Sequence, residues 1–313
     1  MSGLALVFPG QGAQAVGMGH ELAGHYPEAA ATFAEADAVL GLPLSRLCFE
    51  GPEDELRETE NTQPAILAVS VAAYRVLAAR MQLAPAMVAG HSFGEYSALV
   101  AAGALPFAEA VGLVRRRGQL MAAALPPGTG TMAAILGLDG PALASVLAEA
   151  GALGVVEPAT LNCPGQVVVA GATQAVAEAG RLALAAGASR FVPLQVSGPF
   201  HSSLMRPAAE RFAPELAAAD VTPARIPVVA NVTAQTVTAP DEIRRLLVAQ
   251  IHSPVHWEES VRLMLASGIG TFLEIGPGRV LAGLIRRVDR TARIACVGDE
   301  SGLKEALAIL GEV

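Results

Sequence analysis

The chain has 313 residues, 52% of them hydrophobic and 4% aromatic, with 21 basic and 29 acidic residues and a formal charge of -8. At roughly 150 residues per domain this makes two domains, able to bury about three quarters of the surface of the unfolded chain. Net acidity, with no basic run longer than Arg115-Arg116-Arg117, excludes broad nucleic-acid or anionic-lipid binding faces. The apolarity rests largely on 62 alanines, a helix-forming rather than lipid-seeking excess. The uncharged stretches 118–138 and 158–177 are broken by Gln119, Pro126, Pro127, Asn162 and Pro164, so neither supplies the ~20 continuous apolar residues of a membrane span.

The chain opens with Met-Ser-Gly-Leu-Ala-Leu-Val-Phe-Pro-Gly. It has no basic leader and runs straight into a short apolar strand, Leu4–Phe8, so a cytoplasmic protein without a secretory signal is expected. Next comes a glycine-rich loop, Gly10-Gln11-Gly12. By letters, residues 10–15 match the dinucleotide pattern G-x-G-x-x-A, but Pro9 stands at the strand end and no acidic ribose ligand follows a second strand. The glycines serve better to bring the Gln11 amide close to a reacting group. A helix is predicted over Thr62–Arg80 with Pro64 in its first turn, then a buried strand, Met87–Gly90. That strand leads into Gly90-His91-Ser92-Phe93-Gly94 and a helix over Glu95–Ala102. This is G-x-S-x-G in strand–turn–helix context, a nucleophile elbow, in which glycines on both sides of the serine avoid collisions and the helix N-terminus can stabilise an oxyanion.

The next predicted helix, Pro106–Ala124, carries the Arg triplet. At 100° per residue Arg117 falls inside the apolar arc of Val111, Val114, Leu120 and Met121, while Arg115 and Arg116 fall outside it. A guanidinium on a core-facing arc needs a partner, either an internal carboxylate or that of a substrate. After the Pro126–Gly130 breaker the order is strand (Thr131–Leu138), helix (Pro141–Ala150), strand (Gly154–Asn162), strand (Gln166–Ala170), helix (Thr173–Ala186) and strand (Arg190–Leu194). This βαββαβ order is ferredoxin-like. The fold expected is therefore α/β: a hydrolase-like parallel-sheet domain, residues 1–127 and 197–313, split by an inserted small domain, residues 128–196.

A serine nucleophile needs a base. His91 adjoins the serine and is expected to point elsewhere, into structural hydrogen bonds. His252 and His256 are spaced i, i+4, but Pro254 breaks the helix between them and no third ligand is suggested, so no metal site is expected. His201 follows the rigid Ser197-Gly198-Pro199-Phe200 and opens a helix over Ser202–Ala218, a position suited to a fixed base, although on spacing alone a lone histidine is more often structural. A helix over Asp241–Gln250 and a buried strand over Thr271–Ile275 complete the reading. Cys48, Cys163 and Cys296 are far apart and odd in number, and are expected as buried thiols.

Taken together, Phe8-Pro9-Gly10-Gln11-Gly12-Ala13-Gln14, Asn61-Thr62-Gln63-Pro64-Ala65, Gly90-His91-Ser92-Phe93-Gly94-Glu95-Tyr96, Arg115-Arg116-Arg117-Gly118, Asn162-Cys163-Pro164-Gly165-Gln166, Gly198-Pro199-Phe200-His201-Ser202 and Glu274-Ile275-Gly276-Pro277-Gly278 resemble, in order, the motifs of malonyl-CoA:acyl carrier protein transacylases. The resemblance covers essentially the full length. It implies Ser92 as the acylated nucleophile, His201 as base and acid, and the amides of Gln11 and Phe93 as the oxyanion hole. It also implies Arg117 as anchor of the malonyl carboxylate and Gln250 as the residue whose backbone carbonyl orients His201. Gln63, Met121 and Asn162 match positions lining the acyl and pantetheine channel, and Phe200 matches the bulky type of malonyl-selective members. Two departures stand out: Phe93 where Leu, Ile or Val is more common, and Cys163 for a common Ala.

The resemblance implies a cytoplasmic monomer with no permanently bound cofactor. Its substrates would be malonyl-CoA and phosphopantetheinylated acyl carrier protein, and it would supply fatty-acid synthesis. A polyketide acyltransferase acting in trans and a loading transacylase of malonate decarboxylase would share these motifs. A serine hydrolase with Asp220 or Asp241 and His252 would share only the elbow. It would leave Gln11, Arg117 and His201 without roles. A non-enzymatic module that docks the carrier protein would leave the serine, base and anchor unexplained.

Overall fold

The computed structural model describes residues 3–311. Its strands, in chain order, are β1 (Gly3–Phe8), β2 (Met87–Gly90), β3 (Gly130–Leu136), β4 (Val156–Cys163), β5 (Gln166–Ala172), β6 (Arg190–Pro193), β7 (Val228–Val229), β8 (Thr236–Val237), β9 (Ile269–Ile275) and β10 (Arg293–Val297). They form two sheets. The larger runs β10-β9-β1-β2-β7-β8 and is parallel except for the terminal β7–β8 pair. Residues Ala5–Phe8 are wholly buried, as a central parallel strand covered on both faces requires. Their alternation feeds two cores. Leu6 and Phe8 pack with Val69, Leu99 and Val114, while Ala5 and Val7 pack around Trp257 and Phe272.

The register of β1 on β2 sets where two loops emerge. Phe8 pairs with Gly90, so the strands end level and deliver the loop after Phe8 and the loop after Gly90 to the same edge. Open parallel sheets bind ligands at such carboxyl ends.

The smaller sheet, β4-β5-β3-β6, is antiparallel throughout, and with the helices Gly140–Ala150 and Thr173–Ala185 completes the expected βαββαβ unit. Period-two alternation again divides labour. Ala133, Ile135 and Val169 join Val146 and Ala179 in a core of this sheet's own. Met132, Ala134 and Val168, on the opposite face, form one wall of a cavity whose floor belongs to the larger sheet. Strand β4 is also tied to the segment after residue 250 through Leu161 N–H to Val255 O at 2.9 Å and Val255 N–H to Ala159 O at 2.9 Å.

Two helix starts differ from expectation for physical reasons. The helix predicted from Thr62 begins at Thr59 and runs to Ala78, so Pro64 lies inside it rather than in its first turn. Proline lacks the N–H that would reach the Glu60 carbonyl. Arg115 supplies the missing donor, Nη1 to Glu60 O at 2.9 Å. The helix predicted from Ser202 begins at Arg206, after a short 3-10 turn, Ser203–Met205, because Ser202, following His201 at a φ of 62°, is itself extended with φ -115° and ψ 166°. Pro207, at the start of the helix, is pre-set for its first turn. Among the described residues, no helix is long and apolar enough to cross a membrane.

Candidate active site

The turn between β2 and the helix Gly94–Ala101 holds Ser92 at a φ of 53°. Its glycines are obligatory. A Cβ on Gly90 would lie 1.9 Å from the Gly94 carbonyl carbon, and one on Gly94 would lie 2.4 Å from Phe8 O. The turn is clamped from across the sheet by Asn231, next to β7. Its Oδ1 accepts from Ser92 N–H at 2.7 Å and its Nδ2 donates to Gly90 O at 2.6 Å.

His201 meets the serine at 2.7 Å from Nε2 to Oγ, and its Nδ1 lies 2.8 Å from Gln250 O. A carbonyl can only accept, so Nδ1 carries the proton and Nε2 is left to accept from the serine hydroxyl. Gln250 ends the helix Pro240–Gln250, and a terminal carbonyl has no donor within its own helix. The helix end thus supplies the acceptor that an acidic side chain provides in a Ser-His-Asp triad. Burial, with the Arg117 charge second, pushes the His201 pKa down to about 3. The imidazole is therefore neutral, a base ready to take a proton.

Arg117 is 1% exposed, which bears out its place on the apolar arc. Arg115 and Arg116 turn outward to Glu60 and Glu215. Among the described residues Arg117 has no carboxylate partner. Its donors reach Gln63 Oε1 at 2.8 Å, Gln250 Oε1 at 3.1 Å and Ser92 Oγ at 3.3 Å, and its buried Nε–H has no acceptor. Gln63 is itself held by Thr59, whose hydroxyl donates to Gln11 Oε1 at 3.0 Å. Three separate sequence motifs thus converge on one guanidinium. Burial lowers the Arg117 pKa, yet a guanidinium keeps its charge in proteins.

Ser92, His201 and Arg117 lie at the base of a cavity of about 340 Å³, whose walls include Gln11, Gln63, Phe93, Met121, Asn162 and Phe200. Among the described residues, neither the Gln11 nor the Phe93 amide donates to another part of the chain. Gln250 stands behind the cavity, fully buried. His91 makes the expected structural hydrogen bond rather than one to the serine hydroxyl, its Nε2 2.9 Å from Asn162 Oδ1 and its ring 5.6 Å from that of Trp257, and it also lines the cavity. The level ends of β1 and β2 bring the loop carrying His91 to the cavity edge. His252 and Asp220 do not line the cavity, and Asp241 pairs with Arg244, so the hydrolase triad is not assembled. His256 pairs with Glu259 at 3.3 Å. All three cysteines are buried and unbridged.

Two buried polar residues had not been marked by sequence reasoning. Asn231 follows a two-residue strand with no motif around it. Glu95 lies in plain view inside the elbow motif, and a charged residue one place after Gly94 on a helix with no other charge was the available signal. Its Oε2 accepts from Gln250 Nε2 at 2.7 Å and from Asn231 N–H at 3.1 Å. Burial pushes its pKa up to about 7, against the opposing pull of those two donors and of Arg117.

Residues 5–303 match a family model described as an acyl transferase domain. A relative from Bacillus subtilis (strain 168), named malonyl CoA-acyl carrier protein transacylase, is 48% identical over 315 residues, covering 100% of this chain and 98% of that one. One of the same name from Escherichia coli (strain K12) is 48% identical over 309 residues, covering 99% and 100%. Among solved structures, an acyl carrier protein S-malonyltransferase from Vibrio cholerae superposes with a TM-score of 0.95 at 48% identity, covering 97% of this chain and 100% of that one. A malonyl-transacylase in complex with its type II PKS acyl-carrier protein superposes with a TM-score of 0.96 at 46% identity, covering 98% and 100%.

Proposed function

The chain belongs to the acyl transferase family, among its malonyl-CoA:acyl carrier protein transacylases, and on that premise we propose that it carries a malonyl group from malonyl-CoA to the phosphopantetheine thiol of acyl carrier protein through a malonyl ester of Ser92. His201 takes the Ser92 proton on Nε2 as Oγ attacks the thioester carbonyl. The Gln11 and Phe93 amides hold the oxyanion, and His201 returns the proton to the departing CoA sulfur. The carrier's thiol then gives its proton to His201 and attacks the ester, and Ser92 is regenerated protonated. Carboxyl and thioester carbons in a malonyl group are only about 2.5 Å apart, two C–C bonds across a tetrahedral angle. That span suits an anchor whose Nη2 stands 3.3 Å from the nucleophile.

The observation that carries the reading is this buried guanidinium beside the nucleophile, bonded only to neutral acceptors and with its Nε–H unpaired. A charge-assisted bidentate pair there would fix the carbonyl for attack and favour malonyl over uncharged acyl groups. Phe200 would crowd an α-methyl substituent, and Gln63, Met121 and Asn162 would line the acyl and pantetheine path. A monomeric state belongs to the same proposal. We further propose domain limits at 1–127 with 197–313 and at 128–196, a cytoplasmic location, and supply of extender units to fatty-acid synthesis.

The test is intact-protein mass spectrometry after incubation with malonyl-CoA. Wild type gains one malonyl group and Ser92→Ala gains none, while Arg117→Ala loses malonyl loading yet keeps or gains acetyl loading. A malonyl adduct persisting on Ser92→Ala would show the nucleophile to be another residue. Unchanged malonyl preference in Arg117→Ala would sink the anchor.

A further inference from the structure

Glu95 has no part in that mechanism, yet its carboxylate is buried within the machinery. The residue is 3% exposed, and it is joined to Arg117 by a single side chain. Gln250 turns its Nε2 to Glu95 Oε2 at 2.7 Å and receives Arg117 Nη2 on its Oε1 at 3.1 Å. The amide dipole thus lies with its negative end on the cation and its positive end on the carboxylate, as it would between opposite charges. The same Nε2 reaches Ser92 O at 3.0 Å, and Asn231, which clamps the Ser92 amide, gives its own N–H to Glu95. One carboxylate therefore braces both the anchor and the nucleophile turn.

We propose that Glu95 is the resident counter-charge of Arg117 and that it gives way to the substrate: when a malonyl carboxylate binds Arg117, Glu95 takes up a proton from solvent. This rests on the malonyl-anchoring reading of Arg117. In the empty site one cation faces one carboxylate, for a formal sum of zero. A malonyl group adds a second negative charge to a closed, weakly polarisable region, where an uncompensated charge is costly. Uptake of one proton restores the sum.

The other titratable groups around Glu95 do not compete for that proton. Arg117, from the helix Phe107–Ala122, is already charged. Tyr96, on its own helix, is neutral, with its pKa raised by burial. His201 and His91, from the loops beside Ser92, are held neutral by burial. Asn231 and Gln250, whose donors the carboxylate accepts, do not titrate. Strand β1, packed on the same helix as Glu95, has no titratable side chain. The helix Thr59–Ala78, also packed there, has Glu60 and Arg75 paired with Arg115 and Glu35, and Tyr74 bonded to Ala101 O with its pKa raised by burial. Glu95 alone titrates about pH 7, so at pH 7.5 roughly three quarters of the empty sites hold it ionised.

The proton can be counted by calorimetry on Ser92→Ala, in which binding occurs without acyl transfer or thiol release. Malonyl-CoA and acetyl-CoA are titrated at pH 7.5 in phosphate and in Tris, buffers that differ widely in ionisation enthalpy. The expected result is uptake of about 0.7 proton with malonyl-CoA and none with acetyl-CoA. The malonyl uptake should vanish in Ser92→Ala/Glu95→Gln. Above pH 7.5 the affinity ratio of malonyl-CoA to acetyl-CoA should fall toward tenfold per pH unit with Glu95 and stay flat with Gln. No uptake with malonyl-CoA, equal uptake with both thioesters, or uptake that survives Glu95→Gln would overturn the proposal. Should the Gln variant be too unstable to titrate, the comparison of the two thioesters decides alone. A wild-type enzyme that forms no malonyl ester would instead refute the transferase reading, which is a separate measurement.

Discussion

Asn231→Ala tests how much of the nucleophile's geometry is imposed from outside its own loop. The side chain is 1% exposed and makes two short bonds to the turn, 2.7 Å from Ser92 N–H and 2.6 Å to Gly90 O. Truncation leaves a buried donor and a buried acceptor without partners, at about 1–3 kcal/mol each. Relaxing Ser92 out of its left-handed conformation returns about 1 kcal/mol. The net expectation is a loss of about 3 kcal/mol in urea unfolding. Relaxation also moves Oγ from its 2.7 Å contact with His201. A displacement of ~1 Å costs about 100-fold in rate, to be read as single-turnover malonylation by rapid quench and mass spectrometry. Asn231→Asp sharpens the test. An ionised Asp keeps the acceptor for Ser92 N–H but cannot donate to Gly90 O, and it sits beside Glu95, whereas a protonated Asp can donate. Malonylation by that variant should therefore recover as pH falls. Destabilisation below about 0.5 kcal/mol with an unchanged rate would refute the clamp, since that is the size of an ordinary surface substitution.

Two buried ionisable groups should give stability opposite pH dependences. With His201 lowered from 6.5 to about 3, the unfolded chain binds a proton that the folded one refuses between those values. Stability should then fall as pH drops below 6.5, and His201→Asn should remove on the order of 3 kcal/mol of that fall between pH 6.5 and 4 in urea titrations. With Glu95 raised from 4.5 to about 7, the folded chain holds the extra proton. Its contribution is present below pH 4.5 and lost as pH rises through 7, so Glu95→Gln should gain on wild type by on the order of 3 kcal/mol between pH 4.5 and 8. Parallel curves for variant and wild type would contradict either assignment. Finally, Arg115→Ala should cost about 1–2 kcal/mol in wild type but less in Pro64→Ala, where a main-chain N–H can serve the Glu60 carbonyl. A double-mutant cycle with no coupling would show that Arg115 does not substitute for the missing donor.

The local grammar of the chain was enough for most elements and for the principal actors. Short apolar runs ended by glycine, the βαββαβ order and the elbow context are statements about neighbouring residues, and each reappears in the structure within a few residues. Arg117 was singled out by helical angle alone, because a charge on an apolar arc is a local contradiction. Pro64 and His201 mark where local reading stopped short. A proline inside a helix is tolerable only because Arg115, far along the chain, reaches its orphaned carbonyl. The left-handed His201 and the extended Ser202 after it delay the helix, in a turn that lets the ring meet Ser92 and the Gln250 carbonyl together.

The remainder belongs to tertiary structure. His91 turns from the serine hydroxyl into a hydrogen bond with Asn162, as expected, but its place in the cavity wall follows from the pairing of β2 with β1 and not from its own neighbours in sequence. Asn231 had no local signature, since its partners, Ser92, Gly90 and Glu95, lie more than a hundred positions earlier. By itself the sequence determined the elbow, the serine proposed as its nucleophile and the presence of a buried cation, since these follow from spacing and polarity along the chain. Only the folded structure decided which amide clamps the elbow and which carboxylate stands behind Arg117, while the Gln250 carbonyl beside His201 was already implied by the family resemblance. Those contacts join segments that meet only when the parallel strands align their ends, and no periodicity along the chain encodes that meeting.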